Sequence, residues 1–375
     1  MKGLMPGDVK RSSHWTAMAG LIVCAAVTFS GCSVGAVPAK SNMKPKPTVP
    51  DGGILLQGAG ATFPAVLYDD WFRHYQNAHP LSVITYDAVG SGEGVRRFIG
   101  RAATEDERID FGASDAAMRD DEIAAVPNGA LLLPLTAGSV ALAYNLPDVP
   151  ALKLSRRAYA AIFLGLVKSW NDPLIARSNP GVKLPNLTIA TVVRQDASGT
   201  TFAFTKHLDA ISDQWRSQYG PATLVDWPGT AMRASGNEGV ASRIKGSIGS
   251  IGYVSYEFAV RAGLTTALVE NHAGNYVAPG PQSSMSALAD AQLPDNMRLY
   301  VSDPERSDAY PIVTLTWVLL YKHYDDAKKA KALDDLFTWC LTEGQGFVAQ
   351  LGYTPLPEPI QHRALAALGT IATPQ

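Results

Sequence analysis

Apolar residues along this chain follow two alternating rhythms. Ile54, Leu55 and Leu56 form a short unbroken run, the pattern of a buried strand. Leu67, Tyr68, Trp71, Phe72 and Tyr75 then recur at spacings of three and four, the pattern of one helix face. Between them lies Gly58-Ala59-Gly60-Ala61-Thr62-Phe63-Pro64, where Pro64 suits a first helical turn because its missing N–H is no loss there. The same order returns twice. Val83–Tyr86 predicts a strand, Gly90-Ser91-Gly92-Glu93-Gly94 a turn, and Val95–Ile99 the start of a helix. Ile189–Val193 predicts a β-branched strand, and Phe204 and Leu208 share one face of the helix that follows the turn at 194–201. Ile109–Asp115 reads as a further strand, ending in a small-residue turn that bears an acid. Repeated strand-turn-helix units predict an α/β fold.

Two longer apolar runs interrupt this rhythm, Leu131–Asn145 and Ile312–Leu320, each with the character of a strand buried on both faces. They are the expected crossings by which the chain leaves one lobe and returns to it. This puts residues 54–137 and 312–375 in a first lobe and 138–311 in a second. The second lobe carries helix signals at Ala158–Leu164 and the apolar stretch Gly249–Tyr256, and its polar, Pro-containing segment 269–296 reads as a surface excursion. Asp325–Leu341 predicts a helix with Ala332, Leu333, Leu336, Phe337 and Cys340 on one side, which makes Cys340 a core thiol.

The N-terminus has a different pattern. Lys2, Lys10 and Arg11 precede an apolar stretch from about Thr16 to Phe29, too short to span a bilayer stably, which ends in Ser30-Gly31-Cys32. Residues 1–31 are the expected export signal. Phe29–Cys32 resembles a bacterial lipobox, although with Phe where such boxes usually have Leu, and the resemblance implies a lipid on Cys32. The alternative is an ordinary signal peptide cut nearby. Pro, Lys, Ser and Gly dominate from Ser33 to Gly53, so residues 32–53 are the expected flexible tether between anchor and folded part. Gly31-x-Ser33-x-Gly35 matches a hydrolase pattern, but no strand precedes it and no helix follows it.

Composition narrows the chemistry. The 375 residues carry a formal charge of −2, and loss of residues 1–31 would remove Lys2, Lys10, Arg11 and Asp8 to leave −4, so a basic nucleic-acid footprint is absent. Three cysteines without Cys-x-x-Cys spacing and scattered histidines without His-Glu-x-x-His give no metal or redox motif, and no metal or cofactor is expected. The sequence has no Walker A loop, and Gly58-x-Gly60 lacks the third glycine of a dinucleotide fingerprint.

The densest chemistry is Arg194-Gln195-Asp196-Ala197-Ser198-Gly199-Thr200-Thr201. At a helix start, N–H groups without intrahelical partners and a partial positive charge of about +0.5 favour an anion, to which Ser198, Gly199 and Thr200 add donors. Arg194 supplies a planar cation suited to phosphate or carboxylate oxygens. The bland alternative is an N-capping hydroxyl beside a surface arginine.

Taken in order, Gly58–Pro64, Gly90-Ser91-Gly92, Asp110–Asp115, Ser169-Trp-Asn-Asp-Pro173, Asn179–Pro185, Ser198-Gly-Thr200, Gly236-Asn-Glu-Gly239 and Ile251-Gly-Tyr253 resemble the phosphate-specific substrate-binding proteins of bacterial ABC transporters. The resemblance spans roughly Leu55 to Pro357. It implies a type II periplasmic-binding-protein fold, two α/β lobes joined by two hinge crossings, with phosphate held between them. It also implies ligand contacts from Thr62 and Phe63 through backbone N–H, Ser91, Asp115 as acceptor, Arg194, Ser198, Gly199 and Thr200, with Asp196 holding the arginine. Gly92-Glu93 stands where relatives often have Ser-Gly or Gly-Ala, which sets an acid near the cleft mouth. The implied role is a nonenzymatic, exported, monomeric phosphate receptor of the periplasm or cell envelope. Its partners would be the membrane, through the lipid anchor, and the transmembrane permease subunits with their cytoplasmic ATPase. A phosphate-binding surface sensor or adhesin, and a phosphatase using Ser198, are the alternatives.

Overall fold

The computed structural model describes residues 47–101 and 104–371, so the expected export signal, Cys32 and the first part of the tether lie outside the described residues. The last residues assigned to the tether already belong to the fold. Gly53 N–H closes a turn on Pro50 O at 2.8 Å, and Ile54 N–H reaches Leu81 O at 2.8 Å.

In chain order the strands are β1 (Ile54–Gly60), β2 (Ser82–Ala88), β3 (Phe111–Ser114), β4 (Ala130–Tyr144), β5 (Lys153–Leu154) and β6 (Ala190–Arg194). They continue as β7 (Met232–Ala234), β8 (Ser250–Ser255), β9 (Thr265–Thr266), β10 (Leu268–Glu270), β11 (Tyr276–Val277) and β12 (Val313–Tyr321). One sheet runs β2-β1-β3-β12-β4-β8-β6-β7, with β9 beside β4, and a small second sheet runs β11-β10-β5.

Both ends of the large sheet are parallel, β2-β1-β3 on one side and β8-β6-β7 on the other, while β4 and β12 run antiparallel in the middle. The architecture is thus α/β, with two parallel halves joined through the antiparallel pair β4 and β12, as the sequence predicts. β4 serves both halves: Ala130 to Ser139 lie against β12, whereas Val140 to Tyr144 lie against β8. The partner therefore changes between Ser139 and Val140. Beside this point Val140 N–H donates to Ile312 O at 2.8 Å, so the two chain crossings are adjacent.

Helix Ala65–Ala78 buries Leu67, Tyr68, Trp71, Phe72 and Tyr75, the residues its periodicity selects. Tyr68, Phe72, Tyr86 and Phe111 pack as one aromatic cluster against β1 to β3. On helix Ala327–Leu341, capped by Asp326, the buried face holds Ala330, Leu333, Leu336, Phe337, Cys340 and Leu341. Ala332 is only half-buried, because Ala330, three residues before Leu333, takes its place.

Two expectations are corrected. The helix expected to begin at Val95 begins at Ser91 and runs to Phe98. Gly92, Glu93 and Gly94 carry no apolar signal, so the hydrophobic pattern starts one turn late. The segment 269–296 is not merely a surface excursion. It supplies β10, β11 and helix Pro281–Leu288, whose buried Ser284 meets Ser139 with the two hydroxyl oxygens 2.6 Å apart. The signal is weak there because two of the three buried side chains on the helix, Ser284 and Ala287, are short, and only Leu288 is a large apolar residue.

Candidate functional site

Four strand ends, those of β1, β2, β3 and β6, deliver short polar residues to one place. After β1, Thr62 and Phe63 precede the helix at Ala65, and their N–H groups have no hydrogen-bond partner among the described residues. Phe63 is fully buried, with its ring edge-on to Tyr353 and its carbonyl accepting from the Tyr353 hydroxyl at 2.7 Å.

After β2, Ser91 stands at the first position of its helix and is 2% exposed. Its Oγ accepts from Asp115 N–H at 3.2 Å and from Gly199 N–H at 3.1 Å, and lies 3.5 Å from Asp115 Oδ2. Asp115 follows β3 and is also 2% exposed. The Thr316 hydroxyl donates to its Oδ1 at 2.8 Å, and the Thr314 hydroxyl donates to its backbone carbonyl at 3.2 Å. Burial pushes the carboxyl up to about 7, opposed by the Thr316 hydroxyl, the Arg194 charge and Ser91. Asp115 is therefore a buried acid poised near neutrality rather than a surface-turn aspartate.

Arg194 ends β6 and is 2% exposed, which removes the surface-arginine alternative. Its backbone N–H donates to the Tyr253 hydroxyl at 3.1 Å. Asp196 takes the guanidinium in a two-pronged contact, with Nε to Oδ1 at 2.8 Å and Nη2 to Oδ2. Burial disfavours the Asp196 charge, but the hydrogen bonds and charge of Arg194 and the Gly236 N–H hold its carboxyl below the usual range. The third nitrogen, Arg194 Nη1, is buried and has no partner among the described residues. An unmatched buried cationic donor costs more than a neutral one, so the site is shaped for an acceptor supplied from outside the chain.

Ser198 caps helix Gly199–Ile211 by accepting from Thr201 N–H at 3.2 Å. That bond uses a lone pair and leaves the hydroxyl hydrogen available to a ligand. Thr200 is fully buried, and its N–H in the first turn has no partner among the described residues. Thr62, Ser91, Asp115, Arg194, Ser198, Gly199 and Thr200 are all buried, with Asp196 half-buried beside Arg194, while Cys32 lies outside the described residues.

The two halves are in close contact here. Gly92 N–H donates to Ala197 O at 3.0 Å, and the Asn237 amide and backbone N–H groups donate to Thr62 Oγ1 at 3.0 and 3.2 Å. A methyl group on Gly92 would come within 2.4 Å of the Ala197 Cβ, and one on Gly199 within 2.5 Å of the Asp115 Cβ. Glycine is needed at both positions for the backbones to approach. Thr62 and Asp196 also border an open groove of about 600 Å³.

Glu93 does not face this cluster as expected. Two residues beyond Ser91 is roughly 200° around the helix, and its carboxylate is taken by Arg96 at 2.7 Å and Arg97 at 2.8 Å. The Arg96 hydrogen bond first of all, with the Arg97 hydrogen bond and both charges, outweighs the opposing effect of burial and holds it at about 2. Three residues of the cluster escaped the sequence reading: Asn237, Tyr253 and Thr316. The motifs Gly236–Gly239 and Ile251–Tyr253 signalled the first two, whereas Thr316 lies inside an apolar run with nothing to mark it.

Strand ends from two halves of one sheet, closing on a buried cation and a set of unpaired donors, define a ligand-binding protein of the periplasmic type. A model of the PBP superfamily domain matches residues 38–343. The chain belongs to the PstS phosphate-binding protein family. It is 37% identical over 309 residues to the phosphate-binding protein PstS of Pasteurella multocida, covering 81% of this chain and 87% of that one. To the phosphate-binding protein PstS of Methanocaldococcus jannaschii it is 33% identical over 373 residues, 93% of each. Among solved structures it is similar to a high affinity periplasmic phosphate-binding protein bound with phosphate, with a TM-score of 0.71 at 22% identity over 84% of this chain and 93% of that one. The phosphate-binding protein from Stenotrophomonas maltophilia gives 0.68 at 19% identity over 84% and 93%. These two likenesses concern the fold.

Proposed function

We propose that the chain binds inorganic phosphate between its lobes, assigned as 54–137 with 312–375 and 138–311, and presents it to the membrane subunits of an ABC importer. The single observation that carries this reading is Arg194 Nη1, a buried cationic donor without a partner among the described residues, in a cluster whose other free groups there are nearly all donors. Thr62 and Phe63 N–H, Ser91, Arg194, Ser198 and the Gly199–Thr200 helix start are assigned as donors to the anion. Asp115 is assigned as its one acceptor. A carboxylate in an anion site repels its ligand unless the ligand carries a proton, in which case it accepts from P–OH. Fully ionised sulfate offers only lone pairs to the same oxygen, and a buried mismatch of this kind costs about 1–3 kcal/mol or more.

Export on a lipid-carrying Cys32 and a monomeric state belong to the same reading, as does a role in delivery rather than catalysis. The phosphatase alternative needs a base beside Ser198. The histidine on the same helix, His207, is instead buried two turns away with its Nε2 2.7 Å from the Tyr159 hydroxyl. Calorimetric titration with phosphate and sulfate, from mildly acidic to mildly alkaline pH, tests the assignment. Wild type should take phosphate and nearly exclude sulfate, and Asp115→Asn, which offers a donor, should lose much of that preference. Tight sulfate binding by wild type would reopen the choice of ligand.

A further inference from the structure

The carboxyl of Asp115 has two oxygens in unlike surroundings. Oδ1 is taken by the Thr316 hydroxyl at 2.8 Å, whereas among the described residues Oδ2 has only the Ser91 hydroxyl, at the outer limit of 3.5 Å. Ser91 Oγ is itself already accepting from two backbone N–H groups. Thr316 is fully buried, so no solvent can replace its hydroxyl at Oδ1.

Thr316 lies on β12, one of the two central crossings. The pairing with β4 shifts register between Thr316, opposite Thr136, and Trp317, opposite Pro134. The residue left over by the shift is Leu135, on β4, so β12 itself keeps its alternation. Thr314 and Thr316, two residues apart, share one face. One hydroxyl holds the Asp115 backbone and the other its side chain.

We propose that Thr316 is a specificity-determining positioning residue, whose hydroxyl occupies Oδ1 of Asp115 as a donor so that the acid presents Oδ2 as the acceptor for a proton-bearing oxyanion. This rests on the reading of Asp115 as the acceptor for the ligand. The consequence of losing the hydroxyl follows from the surroundings. Burial drives Asp115 toward its neutral form, and a neutral carboxyl can donate, which would reverse the selection in favour of fully ionised anions. The titratable groups that bear on Asp115 from neighbouring elements are Arg194, Tyr68, Tyr86, Tyr353 and Glu257. Burial keeps the three tyrosines neutral and pushes Glu257 up to about 8. Among the described residues the Thr316 hydroxyl, then the Arg194 charge and the Ser91 hydroxyl, oppose burial and favour Asp115 as an acceptor.

The test compares wild type, Thr316→Val, Thr316→Ser and Asp115→Asn of the mature chain by titration calorimetry with phosphate and with sulfate over a pH series. Thr316→Val keeps the shape and removes the donor. It should retain phosphate binding, lose about tenfold or more of the phosphate-over-sulfate preference, and begin to accept sulfate at a higher pH than wild type. Thr316→Ser should restore both preference and pH profile, which a purely structural role for the residue does not require. If Asp115→Asn changes selectivity while Thr316→Val matches wild type at every pH, the role of Thr316 is overturned and that of Asp115 stands. If Asp115→Asn itself leaves selectivity unchanged, both fall. Should Thr316→Val not fold, Thr316→Ala carries the same expectation and the same refutation.

Discussion

A methyl group at position 199 is small, yet the closed cleft has no room for it. The Cβ of Gly199→Ala would stand 2.5 Å from the Asp115 Cβ, 2.6 Å from the Asp115 carbonyl carbon and 2.7 Å from Ala116 N, where ordinary contact begins at 3.4 Å. Two of these atoms are backbone, so no rotamer change relieves the overlap, and the lobes must stand roughly 1 Å further apart. That displacement takes the Gly199 N–H to Ser91 Oγ bond, 3.1 Å in the structure, past the range of a hydrogen bond. The ligand's bonds to one lobe stretch with it. Losing two bonds to a charged ligand, at about 1.5–3 kcal/mol each, raises the phosphate dissociation constant by about 10²–10⁴. Stability without ligand should hold, since Gly199 lies outside the positive-φ glycines and alanine is the better helix former. Calorimetry should show the weakened affinity, and small-angle scattering at saturating phosphate should show less compaction than wild type. Wild-type affinity together with wild-type compaction would refute the reasoning, because closure could not then bring position 199 against Asp115.

Asn237→Ala removes the amide that ties Thr62 to the other half and leaves Ser255 N–H, now bonded to Asn237 Oδ1 at 3.0 Å, unpaired; phosphate affinity should fall about tenfold, and an unchanged calorimetric isotherm would count against it. Glu257 is 1% exposed with Oε1 unpartnered, and burial pushes its carboxyl up to about 8 from an ordinary 4.5. Between these values the folded state keeps a proton the unfolded state has released, so stability falls as pH rises through that window. Glu257→Gln should therefore melt several degrees above wild type at alkaline pH and converge with it in acid, and parallel melting curves would exclude the mechanism. Cys32→Ala should abolish lipid attachment, seen as loss of the lipid mass on the N-terminal peptide. A wild-type chain that is soluble and begins elsewhere would refute the anchor.

Much of this protein was legible in its sequence because the relevant signals are local. Periodicity marked helix Ala65–Ala78 and its buried face, and the two long apolar runs became the central strands β4 and β12. The turn at Arg194–Thr201 marked itself as an anion-binding candidate because a helix start leaves N–H groups unpaired, whereas the full set of candidate site residues came from the family resemblance. What the sequence could not settle depends on relative direction. Glu93 and Ser91 are two residues apart, but only the helix beginning at Ser91 turns the acid away toward Arg96 and Arg97. The segment 269–296 read as polar surface because its helix buries Ser284 and Ala287 beside a single large apolar residue, Leu288, too little for an apolar period. Thr316 gave no cue within an apolar strand, and its importance arises from its contact with Asp115, which lies 201 residues away in the chain. Likewise the charge of Asp115 is decided by burial against nearby donors, a balance that exists only once β3, β6 and β12 are assembled.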